Sequence, residues 1–152
     1  MKKLSEKKKV KILEICGGAG FWGSRGEGIK INEIESWRGV IIEEGLDGPI
    51  ILNDFKVYRV RITEYGVPID YEGNVGRWRI YYVRCTRDEI NNLQSHILKG
   101  WYAHFWKGDK IIVVYCDKLF EIKRYDKSTW HEAVEHGEAQ GIPENELDFP
   151  TD

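Results

Sequence analysis

Four arginines in two alternating runs are the residues of this chain best suited to chemistry. Within 55–63, Tyr58, Val60 and Ile62 alternate with Arg59, Arg61 and Thr63. Within 77–84, Trp78, Ile80 and Tyr82 alternate with Arg77, Arg79 and Tyr81. A period of two is the pattern of strands with one wet face. If the two strands pair, the four guanidiniums could gather on one face, with Tyr81 beside them and Lys56 and Arg84 near the ends. Clustered guanidiniums neutralise phosphates, and an adjacent ring can stack on a base, so the implied partner is a polyanion such as nucleic acid. The competing reading is a solvated face laced with Glu64, Asp70 and Glu72 from the connecting segment.

A second candidate lies in Trp101-Tyr102-Ala103-His104-Phe105-Trp106. Alternation puts Tyr102, His104 and Trp106 on one face, with Trp101, Ala103 and Phe105 on the other. Left open, the first set would be an aromatic patch around a titratable imidazole, suited to a ring-bearing ligand or a protein partner. Covered by a helix, the same His104 would be a satisfied core histidine.

Other chemistry falls short of a complete set. His131 and His136 stand five apart, roughly 140° around a helix, whereas a paired zinc site needs them four apart on one face. No metal site is therefore expected. No Ser-His-Asp set, P-loop or nucleophile elbow is legible, and no catalytic residue is assigned. Cys16, Cys85 and Cys116 are far apart in sequence and odd in number, which excludes a Cys-x-x-Cys motif and argues against a disulfide framework.

The run from Val10 to Gly20 is an apolar stretch, an acid at Glu14, then a glycine-rich turn at Gly17, Gly18 and Gly20. It looks like the first motif of S-adenosylmethionine-dependent methyltransferases. That resemblance implies turn amides close to the cofactor and a second acid, Glu43 or Glu44, on its ribose. The rest of the chain departs from it. Residues 21–28 are poor helix formers where a crossover helix should follow, and the later strands read as antiparallel.

These candidates need elements to hold them. Gly108-Asp109 is a two-residue hairpin signal, and Asp117-Lys118 a weaker turn, so 101–107, 110–116 and 119–124 read as a three-stranded meander. Strands are also expected at 10–15, 40–42, 49–52, 55–63 and 77–84. Thr86-Arg87-Asp88-Glu89 is a capping box and opens a helix over about 87–98. A second helix over about 129–140 starts at Ser128 or Thr129, with Thr129 and Glu132 as another box. The segment 29–37 is ambiguous, and 64–76 is a long connection. Residues 17–28 hold six glycines and read as a loop.

The chain has 152 residues, enough for one domain with a proper core. It is 41% hydrophobic and 32% charged, with a formal net charge of −2, so no global charge draws it to nucleic acid or membrane. Charge is uneven, however. Residues 1–11 hold six lysines against one glutamate, and 132–152 hold five glutamates and two aspartates without a lysine or arginine. The first few residues are expected to be flexible. No signal-type or membrane-length apolar run occurs, and the expected compartment is the cytoplasm. Abundant Lys, Glu and Ile, with one Met, give a thermophile-like composition.

Residues 101–149 resemble a group of small uncharacterised bacterial, archaeal and phage proteins. The likeness rests on Trp101-Tyr102-x-His104-Phe105-Trp106, Asp126-Lys127-Ser128-Thr129-Trp130, and Gly141-Ile142-Pro143-Glu144 followed by Leu147-Asp148-Phe149. It implies a β-hairpin-plus-helix module and carries over no activity. The expectation is an α+β fold: a mainly antiparallel sheet of about six strands, with both main helices packed on one face. The leading functional reading is a binding or interaction protein without cofactor or catalysis, contacting a polyanion through Arg59, Arg61, Arg77, Arg79 and Tyr81. The alternative is a small enzyme or nucleotide binder using Glu14, Gly17, Gly18, Gly20 and Glu43.

Overall fold

Residues Tyr102–Lys107 (β5) and Lys110–Tyr115 (β6) pair antiparallel across Gly108-Asp109, as the turn signal requires. Gly108 has φ +58, a left-handed backbone that glycine adopts at no steric cost. Leu119–Lys123 (β7) pairs with β6 and completes the meander. A computed structural model of the chain describes residues 10–13, 37–63 and 77–151. Within them the remaining strands are Val10–Leu13 (β1), Trp37–Ile42 (β2), Lys56–Thr63 (β3) and Arg79–Cys85 (β4). All seven join one sheet in the order β1-β3-β4-β2-β5-β6-β7, and every neighbouring pair is antiparallel.

Among the connections that lie within the described residues, two cross over a strand. β4 lies between β2 and β3, and β2 lies between β4 and β5. Both crossovers run over the face that carries Phe105. On the first, Phe55 stacks on the Phe105 ring at 6.3 Å. The second contains the helix Arg87–Leu93 (α1), whose Arg87 reaches Glu121 at 3.2 Å. Glu121 opposes Ile112, and Ile112 opposes Phe105, so α1 sits on that same face. The helix His131–Ala139 (α2) follows β7 and returns over the other face, where the Tyr115 hydroxyl donates to the Ala133 carbonyl at 2.7 Å.

The α+β architecture and antiparallel sheet are thus as expected, but the two helices cover opposite faces instead of sharing one. The reason is topological: α1 belongs to a crossover between two non-adjacent strands, and α2 folds back from the last strand of the meander. We call the two sides the crossover face and the return face.

Local boundaries differ where tertiary contacts override the local signal. The Thr86–Glu89 capping box forms in both directions, at 3.2 and 2.9 Å. α1 nevertheless ends at Leu93, before the expected 98, because Ile97 turns extended and bridges Leu46. The second box does not form. Thr129 instead accepts from the Lys123 amide at 2.9 Å and donates to the Asp126 carbonyl at 2.7 Å, tying the approach of α2 to the edge of β7. Pro49–Asp54, expected to begin as a strand, is a 3-10 turn, with proline supplying the φ of its first residue. The expectations for 1–9, the glycine-rich 17–28 and the connection 64–76 lie outside the described residues. So does most of 29–37, of which Trp37 opens β2.

The core fills both faces near β2, β5 and β6. Ile41, Val83, Cys85, Ile90, Leu93 and Phe105 are fully buried, and Trp37, Trp78, Trp101, Trp106 and Trp130 are buried with them. Each such ring removes roughly 150–250 Å² from water, so these tryptophans act mainly as core. Among the described residues no helix is long and apolar enough to cross a membrane.

Candidate nucleic-acid interface

Strand register decides which arginines meet. Arg59 lies opposite Tyr82, and Arg61 opposite Ile80, so both project from the return face with Tyr82. Lys56, Arg84 and Arg38 oppose one another on three successive strands and share that face. A bulge between Val57 and Arg59 inserts Tyr58, and its ring comes within 6.4 Å of the Tyr82 ring. A bulged residue re-aims its side chain relative to strict alternation.

The result is an interleaved set of guanidiniums and rings. Arg38 and Arg84 each lie 5.5 Å from the Tyr58 ring centre. Arg59 lies 5.2 Å and Arg61 5.8 Å from the Tyr82 ring centre. The Arg61 Nη1 also donates to the Tyr82 hydroxyl at 2.6 Å. Cation–π attraction holds each guanidinium and costs it little rotamer freedom beyond that already fixed by packing. Among the described residues, Arg59, Arg61 and Arg84 make no ion pair with a carboxylate. The Nε atoms of Arg59 and Arg61 are shielded from solvent without a hydrogen-bond partner there. Charge at these three side chains is therefore concentrated on one face.

The expected cluster of Arg59, Arg61, Arg77 and Arg79 is divided. Arg79 opposes Ile62 and projects with Tyr81 from the crossover face. Its Nη1 lies 3.3 Å from both Glu43 Oε2 and Glu44 Oε1, and its amide donates to Glu44 at 2.9 Å. The Tyr81 hydroxyl donates to Glu43 Oε1 at 3.2 Å. Burial raises the Glu44 carboxyl pKa, with the Arg79 amide opposing the rise, and burial followed by the Glu43 charge raises the Tyr81 phenol. Arg77 is exposed and precedes β4. Arg79 and Tyr81 thus belong to an ion-pair network at the end of β2. Arg38, Tyr58 and Tyr82 take their place on the interface, joined by Arg84 and Lys56 from the strand ends. The alternation along each strand was legible, but the register between strands and the bulge were not.

The aromatic patch is closed. Tyr102, His104 and Trp106 are all buried. Phe149 packs edge-on against Tyr102 at 5.2 Å, and the Tyr102 hydroxyl donates to the Glu146 carbonyl at 2.8 Å. His104 Nε2 donates to the Pro150 carbonyl, which fixes the proton on that nitrogen and leaves Nδ1 buried without a hydrogen-bond partner among the described residues. The face expected to be open or helix-covered is covered chiefly by residues 142–150. Phe149 has φ +40, a strained backbone for a large residue, held in place by its burial against Tyr102 and Trp130.

Of the alternative cofactor set, Glu14, Gly17, Gly18 and Gly20 lie outside the described residues. Glu43 is held by Arg79 and Tyr81, and β2, the strand before it, has antiparallel neighbours on both sides, unlike the co-directional sheet on which dinucleotide turns are built. His131 pairs with Glu135 at 3.0 Å and His136 with Asp117 at 2.7 Å, so the two imidazoles serve different carboxylates. Gln140 Nε2 also donates to Asp117 at 3.0 Å. Burial, then the Asp117 charge, raises the nearby Cys116 thiol pKa. Among the described residues no group of three or more metal-ligating side chains converges. Comparison with models of protein families, with curated proteins and with solved structures finds no match.

Proposed function

We propose that this protein binds nucleic acid through the return face of β2, β3 and β4. The observation that carries the proposal is the set of four guanidiniums, Arg38, Arg59, Arg61 and Arg84, ordered over the rings of Tyr58 and Tyr82. Planar forks held over rings present their N–H groups in fixed directions, which suits phosphate oxygens. Phosphate contacts of this kind supply affinity and little sequence discrimination.

The test is fluorescence anisotropy of labelled oligonucleotides with the full chain across a salt series. Binding should weaken steeply as salt rises, because each phosphate contact releases counterions. Arg59→Gln/Arg61→Gln should lose about tenfold or more in affinity and flatten the salt dependence. Arg79→Gln, on the opposite face, should bind as the unaltered protein does. Salt-insensitive binding, or equal losses from both variants, would overturn the proposal.

A further inference from the structure

Two rings stand among the arginines of the return face, and both are already engaged. Tyr58 and Tyr82 are half-buried, and their ring centres lie 6.4 Å apart at an interplanar angle of 55°. The Tyr58 ring has the guanidiniums of Arg38 and Arg84 over it, each 5.5 Å from its centre. The Tyr82 ring has Arg59 at 5.2 Å and Arg61 at 5.8 Å. Its hydroxyl is engaged as well, accepting from Arg61 Nη1 at 2.6 Å. Each ring therefore meets two guanidiniums and the other ring.

This arrangement bears on how a nucleic acid is held. Proteins that bind single strands stack successive bases on open aromatic side chains, and each stacked base is worth roughly 5- to 150-fold in affinity. Here the rings serve the arginines instead, holding the planar forks by cation–π attraction so that their N–H groups meet phosphate in fixed directions. Among the described residues, the aromatic ring that stands exposed is Tyr125, which follows β7 on the other side of the sheet from β3 and β4.

The spacing of the guanidiniums adds to this. Arg59 opposes Tyr82, Arg61 opposes Ile80, and Arg84 lies two residues beyond Tyr82 on β4. From the level of Arg84 to that of Arg61 is four residues of β4, about 14 Å. Over about 14 Å a duplex presents about eight phosphate charges, and one of its strands about four. The sheet fixes the three side chains in one row. A ligand whose phosphates are themselves fixed loses less freedom on binding than a flexible strand does. A lone strand thus has half the charge, a larger ordering cost and no open ring to stack on.

We infer that the ligand is double-stranded nucleic acid, held by its backbone phosphates with its bases left unstacked by the protein. The inference rests on the phosphate-binding reading above and names the substrate class within it. The test uses the full chain with a labelled DNA duplex of about 20 base pairs and each of its separated strands. At one salt concentration the duplex should bind at least about fivefold more tightly than either strand. Arg84→Gln should weaken duplex binding and reduce the slope of log affinity against log salt by about 0.9, the value for one phosphate contact. Tyr58→Leu removes the ring beneath Arg38 and Arg84, so duplex and single-strand affinity should fall by the same factor. Melting temperatures check that the variants are folded, and the comparison of duplex with strand needs no variant at all.

Equal or tighter binding of a single strand would overturn the inference, as would an unchanged slope in Arg84→Gln. So would a Tyr58→Leu loss confined to the single strand, because bases would then be stacking on that ring. If Arg59→Gln/Arg61→Gln loses binding while the single strand is preferred, the inference falls alone and the phosphate-binding reading survives. If the unaltered protein binds neither duplex nor strand, both fall.

Discussion

The imidazole of His104 donates to the carbonyl of Pro150 and so ties the middle of β5 to the segment that covers it. Burial lowers the pKa of this histidine from 6.5 to about 4, with the Pro150 bond and the Asp148 charge acting the other way. The folded value lies below the unfolded one, so as pH falls the unfolded chain takes up the proton first. Stability from the neutral imidazole is complete above about 6.5 and is lost as pH falls from there toward 4, by roughly 3 kcal/mol in all. Urea unfolding between pH 7 and 4.5 should show the midpoint falling. In His104→Gln the decline over that window should shrink, whatever the variant's stability at neutral pH. An equal decline in both proteins would show that another group is responsible. Asp117, whose carboxyl is lowered first by its bond to His136, acts only at more acid pH.

Gly39 faces the ring of Phe105 directly. A methyl group on Gly39 would lie 2.0 Å from Phe105 Cδ1 and 2.4 Å from Cε1. That ring is fully buried and backed by Phe55, so it has little room to retreat. Gly39→Ala should cost about 1–3 kcal/mol by overpacking, and Gly39→Val more. Phe105→Leu in the Gly39→Ala background should recover part of the loss, measurable as a double-mutant cycle in thermal unfolding. Additive losses would mean that the contact is not the cause.

The lysine register of β5, β6 and β7 carries a cost in stability, because Lys107 opposes Lys110 and Lys110 opposes Lys123. Lys107→Glu would replace one like-charge opposition by an attractive pair with Lys110. The variant should gain about 0.2–1 kcal/mol in thermal stability at low salt, and the gain should fade as salt screens the pair. A melting temperature that stays the same or falls at low salt would show that the opposed lysines cost the sheet nothing.

Much of the frame was legible because it depends on residues close together in sequence. Gly108-Asp109 specified its hairpin, and Thr86 with Glu89 specified a helix start, each within a few residues. What was hidden depends on contacts far apart. Alternation sorted Arg59 and Arg61 from Val60, and Arg79 from Ile80, correctly within each strand. Whether the two sets share a face depends on cross-strand register, and a slip of one residue reverses the answer. Here Arg61 meets Ile80, so Arg79 points the other way. The place of Tyr58 among the arginines came from a bulge that its own strand pattern does not announce. The sides taken by the helices depended on strand order, which puts α1 in a crossover and α2 in a return.

The order in which the chain is made bears on how the His104 layer closes. A ribosome delivers β5 and β6 well before residues 142–150 that roof them. Through that interval Tyr102 and His104, which Glu146, Phe149 and Pro150 contact in the folded chain, would present an open aromatic surface to other chains nearby. Seating Phe149 ends that exposure. Its strained backbone is held by contacts with Tyr102 and Trp130, so the roof can seat only once both partners are in place.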